Sequence, residues 1–288
     1  MVEDQGISIV GVVGSGVMGS GIAQVCIQSG YKVLLYDIDQ TALDKSYRNI
    51  ERALYKWCEK NGNLNHYDQY LNMLNTAERL DKMASADLIV EAVVEQLDIK
   101  QHLFAQLDSI VKPSTILASN TSGIRISDIA AKSKNRSRMV GMHFFNPATR
   151  MQVVEVVRGE ETSVETLEKT IAFVKSIDKV PIVAKDVPGF VVNRIVTPMI
   201  NQAIKSLEQG IASARDIDTG IKLAMRYPMG PLELADFIGL DLILNYLDTM
   251  YSQGEEAFKP TQLHRKLVSE GHLGIKTGKG FYEYNDSK

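Results

Sequence analysis

The segment from Ile7 to Gly30 constrains the fold of this chain more than any other. A β-branched run ends at Val13, and a helical pattern begins at Val17. Between them lies Gly14-Ser-Gly-Val-Met-Gly19, whose glycines let backbone N–H groups approach a pyrophosphate at the positive end of a helix. The alternative is a glycine-rich strand turn that binds nothing. The context favours a dinucleotide-binding unit, and the expected contacts are Gly14, Gly16, Val17, Met18 and Gly19.

Asp37 indicates which dinucleotide this unit binds. It closes the second predicted strand, Tyr31–Asp37, 18 residues after Gly19, near the roughly 20 expected for the acid that binds the adenosine ribose. Its carboxylate can accept hydrogen bonds from ribose hydroxyls but would repel a 2′-phosphate. No basic residue lies between Ile38 and Asp44 to offset that repulsion. The sequence therefore predicts NAD as the cofactor, rather than NADP.

The order of predicted elements gives the fold class. Strand and helix patterns alternate as far as Lys185, whereas helical periods dominate from Pro188 onward. The boundary is expected at Asp186-Val-Pro-Gly189, because proline and glycine disfavour continuing a helix or central strand. We predict an α/β protein: a Rossmann-type dinucleotide-binding domain over residues 1–186, with a helical excursion at about 41–82, and then a smaller all-α domain over 187–288. The later elements are predicted as helices Val191–Glu208, Ser213–Leu223 and Pro231–Tyr251 and a short strand at Phe281-Tyr282.

Composition excludes several classes of function. The 288 residues carry a formal net charge of −3, which gives no reason to invoke nucleic acid or a membrane surface. No apolar run approaches membrane-spanning length, and the acidic start argues against a targeting segment. The two cysteines, Cys26 and Cys58, lack metal-ligand spacing. We expect a cytoplasmic protein with no metal site, no disulfide, and no nucleic-acid or membrane partner.

Three polar segments follow or interrupt the later strands and are candidates for catalysis. They are Ser119-Asn-Thr-Ser122, His143-Phe-Phe-Asn-Pro147, and Glu155 within the apolar run Val153–Val157. Taken alone, His143 could be a hydrogen-bonded core residue and Glu155 a strand-edge side chain. Together they suggest a general base and the carboxylate that orients it, since a carboxylate on one imidazole nitrogen fixes the tautomer and stabilises the imidazolium. Alcohol oxidation by hydride transfer requires such a base.

Seven segments in one order resemble the L-3-hydroxyacyl-CoA dehydrogenase family, particularly its short bacterial 3-hydroxybutyryl-CoA dehydrogenases. The resemblance covers nearly the whole chain. The segments are Gly14–Gln24, Val90–Glu95, Ser119–Ser122, His143–Pro147, Asp186–Arg194, Tyr227–Pro231 and Lys276–Tyr282.

The resemblance implies roles for individual residues. His143 would be the general base for the 3-hydroxyl proton, with Glu155 orienting it. Ser122 and Asn193 would hydrogen-bond the reacting oxygen or the thioester carbonyl; otherwise they are a strand-end turn and a helix cap. Gly123 stands where the family often has serine, which leaves the proposed contacts untouched. The implied NAD site comprises Asp37, Glu95, Lys100, Asn120, Ser122 and Lys276. For Glu95 and Lys100, an exposed ion pair is the alternative.

Basic residues recur at helical spacing between Lys45 and Lys60, so they fall roughly along one helix face. This basic stripe consists of Lys45, Arg48, Arg52, Lys56 and Lys60. It could bind the phosphates of CoA, or it could be a solvated face partnered by Asp44, Glu51 and Glu59. Lys60 matches a CoA-contacting lysine of the family, so Lys56 and Lys60 join Ser122 and Asn193 as predicted substrate-binding residues.

The predicted function is reversible NAD-dependent oxidation of short-chain L-3-hydroxyacyl-CoA, such as 3-hydroxybutyryl-CoA, to 3-ketoacyl-CoA. The resemblance also implies a homodimer formed through the helical domain, although internal packing explains its apolar helices equally well. One alternative is a dehydrogenase of free β-hydroxy acids, which would tend to use a lysine as its acid. The other is a catalytically silent, crystallin-like nucleotide-binding protein.

Overall fold

The structure, a computed structural model, describes residues 6–284, which form two compact units. The division falls between Phe190 and Val191, next to the Asp186–Gly189 segment. No helix within residues 6–284 combines the length and apolarity needed to cross a bilayer.

The first unit contains a single eight-stranded sheet with helices between the strands, which confirms the predicted α/β class. The spatial strand order is β3-β2-β1-β4-β5-β6-β7-β8, and every neighbouring pair is parallel except β6 and β7. The order 3-2-1-4-5-6 is that of a Rossmann sheet. The strands are β1 Ile9–Val13, β2 Lys32–Tyr36, β3 Leu74–Ala77, β4 Leu88–Glu91, β5 Ile116–Ser119, β6 Met139–Phe144, β7 Val153–Arg158 and β8 Val180–Lys185. The helices are α1 Val17–Gln28, α2 Gln40–Lys60, α3 Tyr67–Leu71, α4 Leu97–Ile110, α5 Ile126–Ile129 and α6 Val164–Ser176.

Two apolar cores hold this sheet between helices. One core includes Ile22 of α1, Ile50 of α2 and Phe173 of α6, and the other includes Phe104 and Leu107 of α4. The central strands are therefore buried on both faces, which is why they read in the sequence as continuous apolar runs. This packing fixes the ends of β1, β4, β5 and β6 relative to one another.

The predicted helical excursion at about 41–82 is wrong in one part. Helices α2 and α3 lie within it, but so does β3, a strand of only four residues at the sheet edge. Only Leu74 and Ala77 of β3 are buried. Their three-residue spacing imitates a helix, and a strand this short offers no alternation to detect.

The second unit, over its described residues 191–284, is helical, as predicted. Its core includes Ile200, Leu232 and Leu247. The predicted helix Pro231–Tyr251 is two helices, because Gly239 adopts a φ of +107° and interrupts the helical backbone. The helices are α7 Val192–Glu208, α8 Ala214–Met225, α9 Pro231–Ile238, α10 Leu240–Ser252 and α11 Gln262–Ser269. The last of these was not predicted.

The predicted strand at Phe281-Tyr282 is also wrong. The backbone N–H groups of Phe281 and Tyr282 donate to the buried carboxylate of Asp236, both at 3.0 Å. Within the described part of this segment, strand-like pairing is limited to isolated bridges of Lys279 with Gly274 and Glu283. The Asp236 carboxylate therefore accepts the backbone hydrogen bonds that the carbonyl groups of a neighbouring strand would otherwise accept.

Candidate active site

The glycine turn after β1 has three glycines with different roles. Gly14 has a φ of +102°, and a Cβ there would lie 2.5 Å from the carbonyl oxygen of Ala92. A Cβ on Gly19 would lie 1.8 Å from the carbonyl oxygen of Gly14, so only glycine lets the start of α1 pack this closely against the turn. Gly16 has open space around it and begins α1 without a side-chain cap. The turn thus leaves room and backbone donors for a pyrophosphate, and these residues fit a bound dinucleotide.

Asp37, just beyond the end of β2, is held by hydrogen bonds from this turn. Its Oδ2 accepts from the backbone N–H of Ser15 at 2.7 Å and from the Ser15 hydroxyl at 2.8 Å. Its Oδ1 accepts from the N–H of Asp39 at 3.0 Å. Partial burial opposes ionisation, but the bonds from Asp39 and Ser15 outweigh it and lower the pKa of Asp37. The group is therefore an ionised acceptor, as a ribose contact requires.

Lys100 lies in the first half of α4 and is buried, with 1% of its side chain exposed. Its Nζ lies 2.6 Å from Oε1 of Glu91, which is fully buried, and 3.2 Å from Oε2 of Glu95. The alternative of an exposed ion pair between Glu95 and Lys100 is therefore wrong, because Lys100 is buried. Burial opposes ionisation of Glu95, but the Lys100 charge and hydrogen bonds from Thr121, Lys100 and Ser122 lower its pKa.

The turn after β5 joins Glu95 to the neighbouring strand ends. Glu95 Oε1 accepts from the Thr121 hydroxyl at 2.5 Å and from the backbone N–H of Ser122 at 3.0 Å. The Asn120 side-chain oxygen accepts from the N–H of Phe144 at 2.9 Å, which fixes this turn to β6. Parallel strands end at the same edge, so the structure brings Asn120, Ser122 and Glu95 together at the edge where the glycine turn lies.

His143 and Glu155 are direct cross-strand partners in the antiparallel pair of β6 and β7. Nδ1 of His143 lies 2.6 Å from Oε2 of Glu155, and the two side chains are buried. A carboxylate only accepts, so Nδ1 carries the hydrogen and Nε2 is left to take a proton. The imidazole also contacts the rings of Phe145 and Phe190, with centroids 4.5 and 5.8 Å away. The arrangement fixes the plane and the tautomer of the histidine.

The basic stripe lies along α2, and all five of its residues are exposed. No ion pair joins any of them to an acid of the described chain; Asp44, Glu51 and Glu59 lie on the same helix and offset only part of the charge of its five cations. Lys45 lines a cleft of about 580 Å³ formed by α1, α2 and residues 146–149. Lys56 and Lys60 lie farther along the same helix. The stripe therefore presents net positive charge beside a cavity.

Two predicted site residues, Asn193 and Lys276, belong to the second unit. Asn193 is the second residue of α7. The Lys276 ammonium donates to Oδ1 of Asp241 at 2.5 Å. Their roles toward NAD and substrate remain predictions.

The sequence reasoning missed Ser15, Glu91 and Phe190. Glu91 left a signal, because it is an acid within the apolar strand Leu88–Glu91. Ser15 left none, since a serine in a glycine turn is ordinary. Phe190 follows Gly189 and adopts a φ of +51°, which no sequence pattern indicates.

Comparisons with known proteins identify the family to which the chain belongs. Residues 9–187 match the family model described as 3-hydroxyacyl-CoA dehydrogenase, NAD binding domain, and residues 189–284 match the C-terminal domain of the same family. The chain is 45% identical to a probable 3-hydroxybutyryl-CoA dehydrogenase of Deinococcus radiodurans, over 95% of this chain and 99% of that one. It is 41% identical to the 3-hydroxybutyryl-CoA dehydrogenase of Clostridioides difficile, over 95% and 98% of the two chains.

A solved structure gives the same result. The crystal structure of (S)-3-hydroxybutyryl-CoA dehydrogenase from Ralstonia eutropha has a TM-score of 0.93 and 40% identity, over 97% of this chain and all of that one. Identity at this level across both units is sufficient to assign the family. This chain is an NAD-dependent dehydrogenase that belongs to the 3-hydroxyacyl-CoA dehydrogenase family.

Proposed function

We propose that this enzyme reversibly oxidises short-chain L-3-hydroxyacyl-CoA, with 3-hydroxybutyryl-CoA and acetoacetyl-CoA as its main pair. The observation that carries the proposal is the buried contact of 2.6 Å between His143 and Glu155. It supplies a base of fixed tautomer, which removal of a hydroxyl proton requires. The names of the relatives in Deinococcus radiodurans and Clostridioides difficile support the short chain length.

In this mechanism Nε2 of His143 takes the proton of the 3-hydroxyl. Glu155, which accepts the hydrogen of Nδ1, stabilises the imidazolium that forms. Ser122 and Asn193 hydrogen-bond the reacting oxygen or the thioester carbonyl, where negative charge develops. In the reverse direction the imidazolium returns its proton to the oxygen.

The cofactor site is proposed from the residues that fit it. The turn Gly14–Gly19 would hold the pyrophosphate and Asp37 the adenosine ribose, with Glu95, Lys100, Asn120, Ser122 and Lys276 around the rest of the molecule. NAD, when bound, supplies the acceptor for the hydride that leaves C3 of the substrate. Exposed Lys56 and Lys60, with Lys45 at the cleft, supply positive charge for the phosphates of CoA.

The direct test follows NADH absorbance with acetoacetyl-CoA, with longer 3-ketoacyl-CoAs and with free acetoacetate. We expect the highest kcat/KM with acetoacetyl-CoA and little turnover of the free acid. Faster turnover of free acetoacetate would favour the β-hydroxy acid dehydrogenase. Absence of turnover with every substrate would favour the catalytically silent protein.

The base is tested by His143→Gln and Glu155→Gln. Both variants should lower kcat by about 10²- to 10⁴-fold, because general-base catalysis contributes on that scale. His102→Gln changes an exposed histidine on α4 and is the matched control. Near-wild-type turnover by both site variants would rule out this mechanism.

We also propose a homodimer formed through the helical unit and a location in the cytoplasm. Cys26 and Cys58 are buried free thiols, which suits a reducing compartment.

A further inference from the structure

Glu91, the last residue of β4, is a carboxylate with no exposure to solvent. Its Oε1 accepts from Nζ of Lys100 at 2.6 Å and from the N–H of Val93 at 2.7 Å. Its Oε2 accepts from the hydroxyl of Ser119 at 2.6 Å. A buried charge is tolerated only when donors and a counter-ion surround it, as they do here.

Lys100 divides its interaction between two acids of unequal exposure. The closer partner is the buried Glu91, and the other is Glu95, whose side chain is 42% exposed. Glu95 also accepts from Thr121 and Ser122 in the turn after β5. Glu91 is thus joined to that turn through Lys100 and Glu95, and also through the Ser119 hydroxyl, which accepts from the N–H of Thr121 at 3.2 Å.

We propose that Glu91 is a positioning residue for the NAD site, acting through Lys100. It holds the ammonium in the sheet, so that the Glu95 carboxylate keeps its bonds to Thr121 and Ser122. This inference rests on the proposed placement of Glu95, Lys100 and Ser122 around NAD. Glu91 itself is too deeply buried to touch the cofactor.

The physical reason is competition between the two carboxylates. If Glu91 loses its charge, Glu95 becomes the only anion within ion-pair distance of Lys100 in the described chain. The ammonium then moves toward Glu95 and competes with the hydroxyl of Thr121 and the N–H of Ser122 for the same carboxylate. The turn after β5 loses its fixed geometry, and NAD affinity falls.

The experiment is a double-mutant cycle on the NADH dissociation constant, measured by fluorescence titration without substrate. Glu91→Gln, which keeps the shape of the side chain, should raise Kd about tenfold, equivalent to about 1.4 kcal/mol. Lys100→Met should raise Kd at least as much. The double variant should bind NADH no more weakly than Lys100→Met alone, because the amide oxygen of Gln can still accept from the Ser119 hydroxyl, so the substitution removes only the interaction with Lys100.

A second buried pair on the same helix supplies the control. Asp108, also on α4, pairs with Arg138 at 2.6 Å, and both side chains are buried. Asp108→Asn should lower Tm as Glu91→Gln does but leave the Kd for NADH unchanged. If Glu91 had a merely structural role, both variants would lower Tm and both would leave the Kd for NADH unchanged.

Several results would overturn the inference: an unchanged Kd in Glu91→Gln, an unchanged Kd in Lys100→Met, or additive effects in the double variant. If Glu91→Gln alone does not fold, the double variant is compared with Lys100→Met, and any further rise in Kd overturns the inference. Because NADH binding needs no acyl-CoA, failure of the proposed substrate leaves this test intact.

Discussion

At the scale of a single residue, we propose that Asp37 determines the preference for NAD over NADP. Its carboxylate is ionised and oriented by Ser15, so a 2′-phosphate near it would meet a fixed negative charge. Asp37→Ala should narrow the NAD preference, expressed as a ratio of kcat/KM values, by about tenfold. Asp68→Ala, which removes an exposed acid on α3, should leave the ratio unchanged. An unchanged ratio in Asp37→Ala would contradict the assignment of Asp37 as the residue that binds the adenosine ribose.

Residues differ in how far the sequence alone could identify them. His143 and Glu155 could be named because each is a polar residue at an apolar strand, and the antiparallel register then places them opposite each other. Glu91 occurs in a similar setting, but its function depends on Lys100, whose burial no local pattern indicates. A side chain buried by tertiary packing can be recognised only when its neighbours are known.

At the scale of elements, we propose that α2 binds the phosphates of the CoA substrate. Its five exposed cations have no acidic partner within ion-pair distance among residues 6–284, so their field is available to a ligand. Lys60→Ala should raise KM for acetoacetyl-CoA severalfold, by about 1 kcal/mol or less, because the contact is exposed and screened by salt. It should have little effect on KM for a pantetheine-truncated substrate.

The control for α2 is Lys132→Ala, which removes an exposed lysine beyond α5. It should leave both KM values as they are. Equal effects of Lys60→Ala on the full and truncated substrates would count against a phosphate contact.

Elements could be predicted where they are long and periodic. Helix α7, with 17 residues, and α8, with 12, are within one or two residues of their predicted ends. Strand β3 and the break between α9 and α10 were missed, because each depends on a feature too local for periodicity. In the first case this is a four-residue edge strand, and in the second the positive φ of Gly239.

At the scale of the whole molecule, the proposed dimer rests on the surface of the helical unit. Large apolar side chains are exposed on successive helices there: Ile195 of α7 at 65%, Leu223 of α8 at 76%, Phe237 of α9 at 49% and Leu242 of α10 at 56%. Single exposed apolar residues are ordinary; we propose that these four contribute to one interface, because they recur on four helices of the same unit. A second copy of the chain would bury these residues in a symmetric interface.

The dimer predicts a mass by light scattering near twice the 32.0 kDa of the chain at micromolar concentration. Leu223→Glu and Leu242→Glu together should shift that mass toward the monomer, because a buried, unpaired carboxylate opposes association. Val164→Glu adds the same charge at an exposed apolar position of the first unit, at the start of α6, and should leave the mass unchanged. A monomeric wild type at this concentration would contradict the dimer. A double variant that stays dimeric would show that the interface does not include Leu223 of α8 and Leu242 of α10.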